Sequence, residues 1–250
     1  MLDIVILAAG KGSRMRSDKP KVLHTVAGVS MLEHVVSVAE SLDPRSITIV
    51  VGHGAELVKS EFKDRNVQFA LQQDQLGTGH AVLQAMPYIG DDGRVVVLYG
   101  DVPLLRADTV QPLLEDTNPL TLLTAKLDNP AGYGRIIREE SSITAIVEQK
   151  DANPEQLEIN EANTGILLAN GGDLKRWLSG LSNENAQGEY YLTDIIAAAH
   201  NEGKAIASPN NAVMVALNNF MLSPYNLRQL APNLCSSNAD KPDNESVRAR

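Results

Sequence analysis

Gly10, Lys11, Gly12, Arg14 and Lys21 stand close together in LAAGKGSRMRSDKPK, the stretch from Leu7 to Lys21. The two glycines let the main chain turn and approach a ligand without Cβ clashes, so that successive N–H groups face an anion. The three cations add charge, and Arg14 brings a planar fork that matches phosphate oxygens. Pro20 fixes the chain beside Lys21. This is phosphate-binding chemistry with a spacing of its own. GKGSRM does not follow the P-loop order, and the stretch lacks the downstream acid that would take the ribose of a dinucleotide. Lys11 also reads as a plain surface charge.

Two further segments carry complementary groups. Asp101 lies in YGDVPLL, directly after the uniformly apolar run RVVVL from Arg94 to Leu98. An acid just past the carboxyl end of a central parallel strand stands at the crevice where open α/β sheets bind ligands. Such an acid suits Mg²⁺, which takes one or two carboxylates together with substrate phosphates. Asp101 also reads as a turn or helix-capping residue. In QQDQLGTGHA, Gln72 can donate to and accept from the edge of a base, while Gly77 and Thr78 permit a close backbone approach and a hydroxyl contact. The same segment reads as a strand-to-helix turn with good capping residues.

These groups need a scaffold that brings three loops to one edge. LDIVI, Leu2 to Ile6, has the bounded β-branched character of a buried parallel strand. Apolar residues at helical spacing predict a helix from Ser30 to Leu42, and Ser46 to Val51 predicts the next strand, completing a right-handed βαβ unit. His53, in GHGAE, reads as a turn or helix-start residue. Further helices are expected over Ala55 to Phe62, Gly79 to Met86 and Asp108 to Leu114, with strands over Val67 to Leu71, Arg94 to Leu98 and Leu120 to Leu127. From there GYGRIIREESSITAIVEQK reads as two β segments joined by a polar turn, followed by a helix-like acidic stretch at Asn153 to Asn160 and the strand NTGILLAN. Helices over Leu174 to Leu178 and from Thr193 to His200, then a short strand from Ala205 to Ala207, close the pattern. The later strands extend the sheet and cover the acceptor side of the cleft. Gly134, Glu148 and Asn163 fall at their ends, although Glu148 also reads as a solvated strand-end acid and Asn163 as a turn former.

Composition narrows the partners. The 250 residues, 43% hydrophobic and 21% charged, are ordinary for a folded globular chain. A net charge of -9 argues against a general nucleic-acid surface, so a polyanionic ligand must meet a local cationic pocket. One cysteine, Cys235, excludes an internal disulfide and suits a reducing compartment. Without a basic leader before the apolar start, and without a run of about 20 apolar residues, neither a signal peptide nor a membrane span is expected, and the reading is cytoplasmic. After Pro224 no periodicity remains, so residues 224–250 read as a polar, poorly ordered tail behind a domain of residues 1–223.

The ordered series LAAGKGSRM, Lys21, QLGTGHA, LYGDVPL, GYGRI, IVEQKD, NTGILLAN and GEYYLTDI resembles the uridyltransferase half of the bacterial bifunctional enzymes N-acetylglucosamine-1-phosphate uridyltransferase/glucosamine-1-phosphate acetyltransferase, over about residues 3 to 206. The resemblance implies an α/β, Rossmann-like nucleotidyltransferase fold, with a mixed and mostly parallel sheet flanked by helices. It implies a reaction of UTP with N-acetyl-α-D-glucosamine 1-phosphate that gives UDP-N-acetylglucosamine and pyrophosphate, for peptidoglycan and lipopolysaccharide precursors. A sibling nucleotidyltransferase of other specificity and a catalytically impaired nucleotide-sugar-binding module are the alternative readings.

Carried over residue by residue, the resemblance implies that Leu7, Ala8, Ala9, Gly10, Gln72, Gly77 and Thr78 hold uridine. Arg14 and Lys21 meet the nucleotide phosphates, and Tyr99, Gly100 and Asp101 lie between nucleoside and Mg²⁺, with Asp101 as metal ligand. Gly134, Glu148, Asn163, Tyr191 and Thr193 fall where the family holds the sugar phosphate. VALNNF offers Asn218, beside Asn219, as the second metal ligand, although its flanks depart from the family pattern, with Phe220 where a basic residue is usual. The chain carries no hexapeptide repeats of a left-handed β-helix, so neither acetyl transfer nor the trimer that such a helix builds is expected.

Overall fold

The computed structural model describes residues 1–12 and 17–209. The first half alternates strands and helices: β1 (Leu2–Ala8), a two-stranded hairpin β2 (Thr25–Val26) and β3 (Val29–Ser30), α1 (Met31–Ser41), β4 (Ser46–Val51), α2 (Ala55–Glu61), β5 (Gln68–Leu71), α3 (Thr78–Ala85) and β6 (Arg94–Tyr99). The second half runs α4 (Ala107–Glu115), β7 (Leu120–Lys126), β8 (Arg135–Glu139), β9 (Ser142–Val147), α5 (Pro154–Leu157), β10 (Glu161–Asn170), α6 (Gly171–Ser179), α7 (Asp194–Asn201) and β11 (Ile206–Ala207).

The main sheet has the order β11-β7-β10-β6-β1-β4-β5. β1 pairs in parallel with β4 and β6, and β4 with β5, whereas β10 runs antiparallel to both β6 and β7. Along this path β10 alone is reversed, so the expected mixed, mostly parallel sheet is what forms. β8 and β9 make an antiparallel pair that hangs from the first half of β10. RVVVL is a central strand as expected, lying between β1 and β10.

Alternation along the strands explains the two-sided core. Ile4 and Ile6 of β1 pack on one face with α1, α2 and α4, while Val5 packs on the other with α3, α6 and α7. Both sets are buried completely, which is why these strands read as continuous apolar runs. Ser30 caps α1 by accepting a hydrogen bond from Glu33 N at 3.3 Å. In α5, Asn153 and Gln156 make a reciprocal capping box.

Two local details differ from the sequence reading. β1 continues through Leu7 and Ala8, which therefore stand on the strand rather than in the loop. The β2–β3 hairpin was not anticipated. Its turn residues Ala27 and Gly28 both take positive φ, 53° and 85°, and only the glycine signals that geometry.

At the edge of the sheet away from the carboxyl ends, fully buried Asp3 accepts hydrogen bonds from Arg45 Nε at 3.0 Å and Ser46 Oγ at 2.7 Å. Burial works to raise this carboxyl, but the bonds from Arg45 and Ser46 outweigh it and hold the group below the ordinary aspartate value. The clasp ties the starts of β1 and β4 together. Among the described residues no helix is long and apolar enough to cross a membrane.

Candidate functional site

The carboxyl ends of β1, β5 and β6 open into a cleft of about 430 Å³. After β1 the glycine loop turns back along the cleft. Gly12 has φ +58°, and a Cβ there would come within 2.7 Å of Lys21 Cβ, so the loop lies against Lys21 only because this residue is glycine. Lys21 follows Pro20 into a short 3-10 turn, Lys21–Leu23. Its Nζ donates to Asp101 Oδ2 at 2.5 Å, joining the loop after β1 to the loop after β6. Both side chains are about 30% exposed, at 28% and 31%, and both face the cleft.

Eleven residues singled out in the sequence line this cleft: Leu7, Ala8, Ala9, Gly10, Gly12, Lys21, Gln72, Gly77, Thr78, Tyr99 and Asp101. Gly100 lies beneath rather than on the wall. It is buried, its N–H donates to Leu7 O at 2.9 Å, and a Cβ would press on Leu32 and Val22. Val22, Gln75, Ala81 and Glu189 also line the cleft. Gln75 shares the QQDQ run with Gln72, and its Nε2 donates to Gln72 O at 3.3 Å. Glu189 belongs to GEYYLTDI, of which the resemblance implies Tyr191 and Thr193 rather than Glu189.

Gln72 is buried and oriented. Its Nε2 donates to Gly77 O at 3.1 Å and faces His80 Nδ1 at 3.1 Å. Because a carbonyl oxygen only accepts, the amide nitrogen must face Gly77. Thr78 opens α3, and its Oγ1 accepts from Leu192 N at 3.0 Å, so one lone pair of the expected ligand-contacting hydroxyl is engaged inside the protein.

Tyr99 stands between the two ends of the site. Burial pushes its phenol far above the ordinary tyrosine value, and the charges of Glu148 and Asp101 add to that from either side. Gly165 makes room for the ring: φ is +85°, and a Cβ would fall 2.5 Å from Tyr99 Cε2.

The second set gathers at the ends of β8, β9 and β10. Thr193 Oγ1 donates to Glu148 Oε1 at 3.0 Å. A Cβ on Gly134 would meet Glu148 Oε1 at 3.4 Å, and Gly134 O accepts from Asn163 N at 2.9 Å. Asn163 Oδ1 accepts from Gly165 N at 3.0 Å and so steadies the irregularity in β10 between Asn163 and Leu167. Glu148, Gly134, Asn163 and Thr193 thus form one group. Tyr191 is buried beside it, its hydroxyl donating to Asp151 Oδ2 at 3.2 Å. Burial raises the Glu148 carboxyl above the ordinary value and the charges of Asp194 and Asp151 act in the same sense, while Thr193 opposes them. Arg14 and Asn218 lie outside the described residues.

No three or more His, Cys, Asp or Glu side chains converge among the described residues, so these offer no metal cage built of protein alone. Asp101, a hard carboxylate at the wall of a cleft lined by the glycines of the loop after β1, is a donor that fits Mg²⁺ completed by phosphate oxygens.

Comparison with known proteins agrees with this geometry. A family model described as the MobA-like NTP transferase domain matches residues 4–140, more than half of the chain. Among solved structures, a Bacillus anthracis protein provisionally described as a glucose-1-phosphate thymidylyltransferase, determined in complex with sucrose, has a TM-score of 0.73 and 23% identity. The match covers 96% of this chain and 98% of that one, and it shows that the two share a fold.

Proposed function

Because the chain belongs to the family of MobA-like NTP transferase domains, we propose that it transfers UMP from UTP to N-acetyl-α-D-glucosamine 1-phosphate, giving UDP-N-acetylglucosamine and pyrophosphate. The observation that carries the reading is the pairing of two groups of residues across Tyr99. On one side are the glycine loop, Lys21 and Asp101; on the other are Glu148, Thr193, Asn163 and Gly134.

The chemistry follows from what these groups do. A phosphate oxygen of the sugar phosphate attacks the α-phosphorus of UTP in line, one P–O bond forms, and the bond to the β-phosphate breaks. No general base is required, since the attacking phosphate is already ionised near neutral pH. The protein brings together two anions that repel each other in water. The N–H groups of the glycine loop and Lys21, with Arg14 by the resemblance, hold the triphosphate and stabilise the charge that develops on pyrophosphate. Asp101, with Asn218 by the resemblance, would hold Mg²⁺, which when bound neutralises phosphate charge. Lys21, now on Asp101 Oδ2, has to exchange that carboxylate for phosphate oxygens as the nucleotide enters. Gln72, held by Gly77, presents its remaining polar edge to the base, and Glu148 accepts from sugar hydroxyl or amide groups.

A second reading, glucose 1-phosphate with a thymidine nucleotide, is favoured by the Bacillus anthracis neighbour. One assay separates the two. The chain is incubated with Mg²⁺, each of UTP, dTTP, CTP, ATP and GTP, and either sugar phosphate, and pyrophosphate is followed. Release with UTP and N-acetylglucosamine 1-phosphate is the expected result, and release confined to dTTP and glucose 1-phosphate would replace the proposal.

A further inference from the structure

Three hydrogen bonds sew the nucleotide end of the cleft to the acceptor end. Tyr190 N donates to Leu76 O at 2.8 Å, Gly79 N donates to Tyr190 O at 2.8 Å, and Leu192 N donates to Thr78 Oγ1 at 3.0 Å. The approach is so close that a Cβ on Gly77 would lie 2.6 Å from Tyr190 O, and one on Gly79 would lie 3.0 Å from the same atom. The next residue in the chain is Thr193, whose hydroxyl holds Glu148 at 3.0 Å. Leu192 and Thr193 are only 2% and 8% exposed, so the segment between Thr78 and Glu148 sits in packed surroundings.

We infer that Thr78 is a positioning residue for the acceptor sugar phosphate, acting through Leu192 and Thr193 on Glu148, although it stands on the nucleotide wall of the cleft. The inference rests on the proposed sugar-phosphate reaction. Thr78 Oγ1 is the side-chain acceptor that fixes Leu192 N, and a buried N–H left without a partner is destabilising, so without that oxygen the backbone at residues 191–193 must move to find another. Thr193 moves with it, and Glu148 loses the hydroxyl that orients its Oε1. Backbone hydrogen bonds at Leu76 and Gly79 keep the rest of the nucleotide loop in place, because they do not depend on the Thr78 side chain.

Steady-state kinetics with both substrates varied tests this. Thr78→Val keeps the shape of the side chain and removes the acceptor. The Michaelis constant for N-acetylglucosamine 1-phosphate is expected to rise by about five- to tenfold, the loss of roughly one oriented hydrogen bond. Thr78→Ser restores the acceptor and is expected to restore the sugar constant. Thr193→Val, which breaks the chain one link later, should reproduce the Thr78→Val pattern, and thermal melting of each variant registers any general loss of fold. A sugar constant that stays at its wild-type value in Thr78→Val, one that Thr78→Ser fails to restore, or a Thr193→Val variant whose UTP constant rises as much as its sugar constant overturns the inference. If the wild-type chain turns over neither sugar phosphate, the reaction itself is refuted and the inference falls with it, an outcome distinct from a normal wild type with an indifferent Thr78→Val.

Discussion

Lys21 Nζ sits 2.5 Å from Asp101 Oδ2, so the cation assigned to triphosphate and the carboxylate assigned to metal hold each other across the mouth of the cleft. An ion pair of this kind, with both partners partly in water, contributes about 0–1 kcal/mol to stability. On the proposed reaction its worth lies in catalysis. Asp101→Ala should therefore lose Mg²⁺-dependent pyrophosphate release while the thermal midpoint moves little. Near wild-type release from a folded variant would remove Asp101 from the mechanism.

Glu148 is held against its own preference. Burial and two neighbouring acids raise its carboxyl in the folded state, so the neutral form is favoured there relative to the unfolded chain. The sign follows from linkage: this group's contribution is complete below its unfolded value and is lost as pH rises through the folded one. Glu148→Gln should thus be more stable than wild type at pH 8, with the difference shrinking toward pH 4 in urea titrations. The same variant should raise the Michaelis constant for the sugar phosphate by about tenfold through the loss of a charged acceptor. A variant equally stable at both pH values would mean that the acid is solvated.

Asp3 carries the opposite sign. Its carboxyl is lowered by Arg45 and Ser46, so the stability it supplies is present above the unfolded value of 3.8 and is lost as pH falls through the lower folded value. Asp3→Asn is expected to destabilise by about 1–3 kcal/mol at pH 7, read by urea denaturation, with the gap to wild type closing in strong acid. Because Asp3 lies at the far edge of the sheet, the residual folded protein should keep its Michaelis constants.

Gly165 is a steric device. With φ at +85° and a Cβ position 2.5 Å from the Tyr99 ring, Gly165→Ala must strain the backbone and displace the ring. A loss of about 1–3 kcal/mol is expected, with a fall in turnover on the proposed reaction, since Tyr99 lines the cleft. Wild-type turnover in Gly165→Ala would show that the ring's place is immaterial.

What was readable in the chain was local. The apolar run RVVVL placed Asp101 just past the end of a central strand, and apolar spacing gave α1, with Ser30 as its cap rather than its first residue. Periodicity does not carry long-range pairings. The contact between Thr78 and Leu192 spans 114 positions, and neither residue's neighbours hint at it. The demand for glycine at position 165 comes from a tyrosine on another strand. The resemblance sets Gly100 between nucleoside and metal, and its buried N–H, bonded to Leu7 O, extends the pairing of β1 and β6, a tie that its neighbours in YGD do not signal.

The reversal of β10 divides the sheet into two parts with different freedoms. From β5 to β6 the strands run in the same direction, and β5, β1 and β6 each deliver a loop to one cleft. β10 runs the other way, and its register irregularity between Asn163 and Leu167 lets its first half leave β6 and carry β8 and β9. Insertions or altered side chains in that outboard hairpin leave the β1–β6 register untouched. A scaffold of this kind can be retuned to a new acceptor by changes in one appended ribbon while its nucleotide chemistry stays as it was.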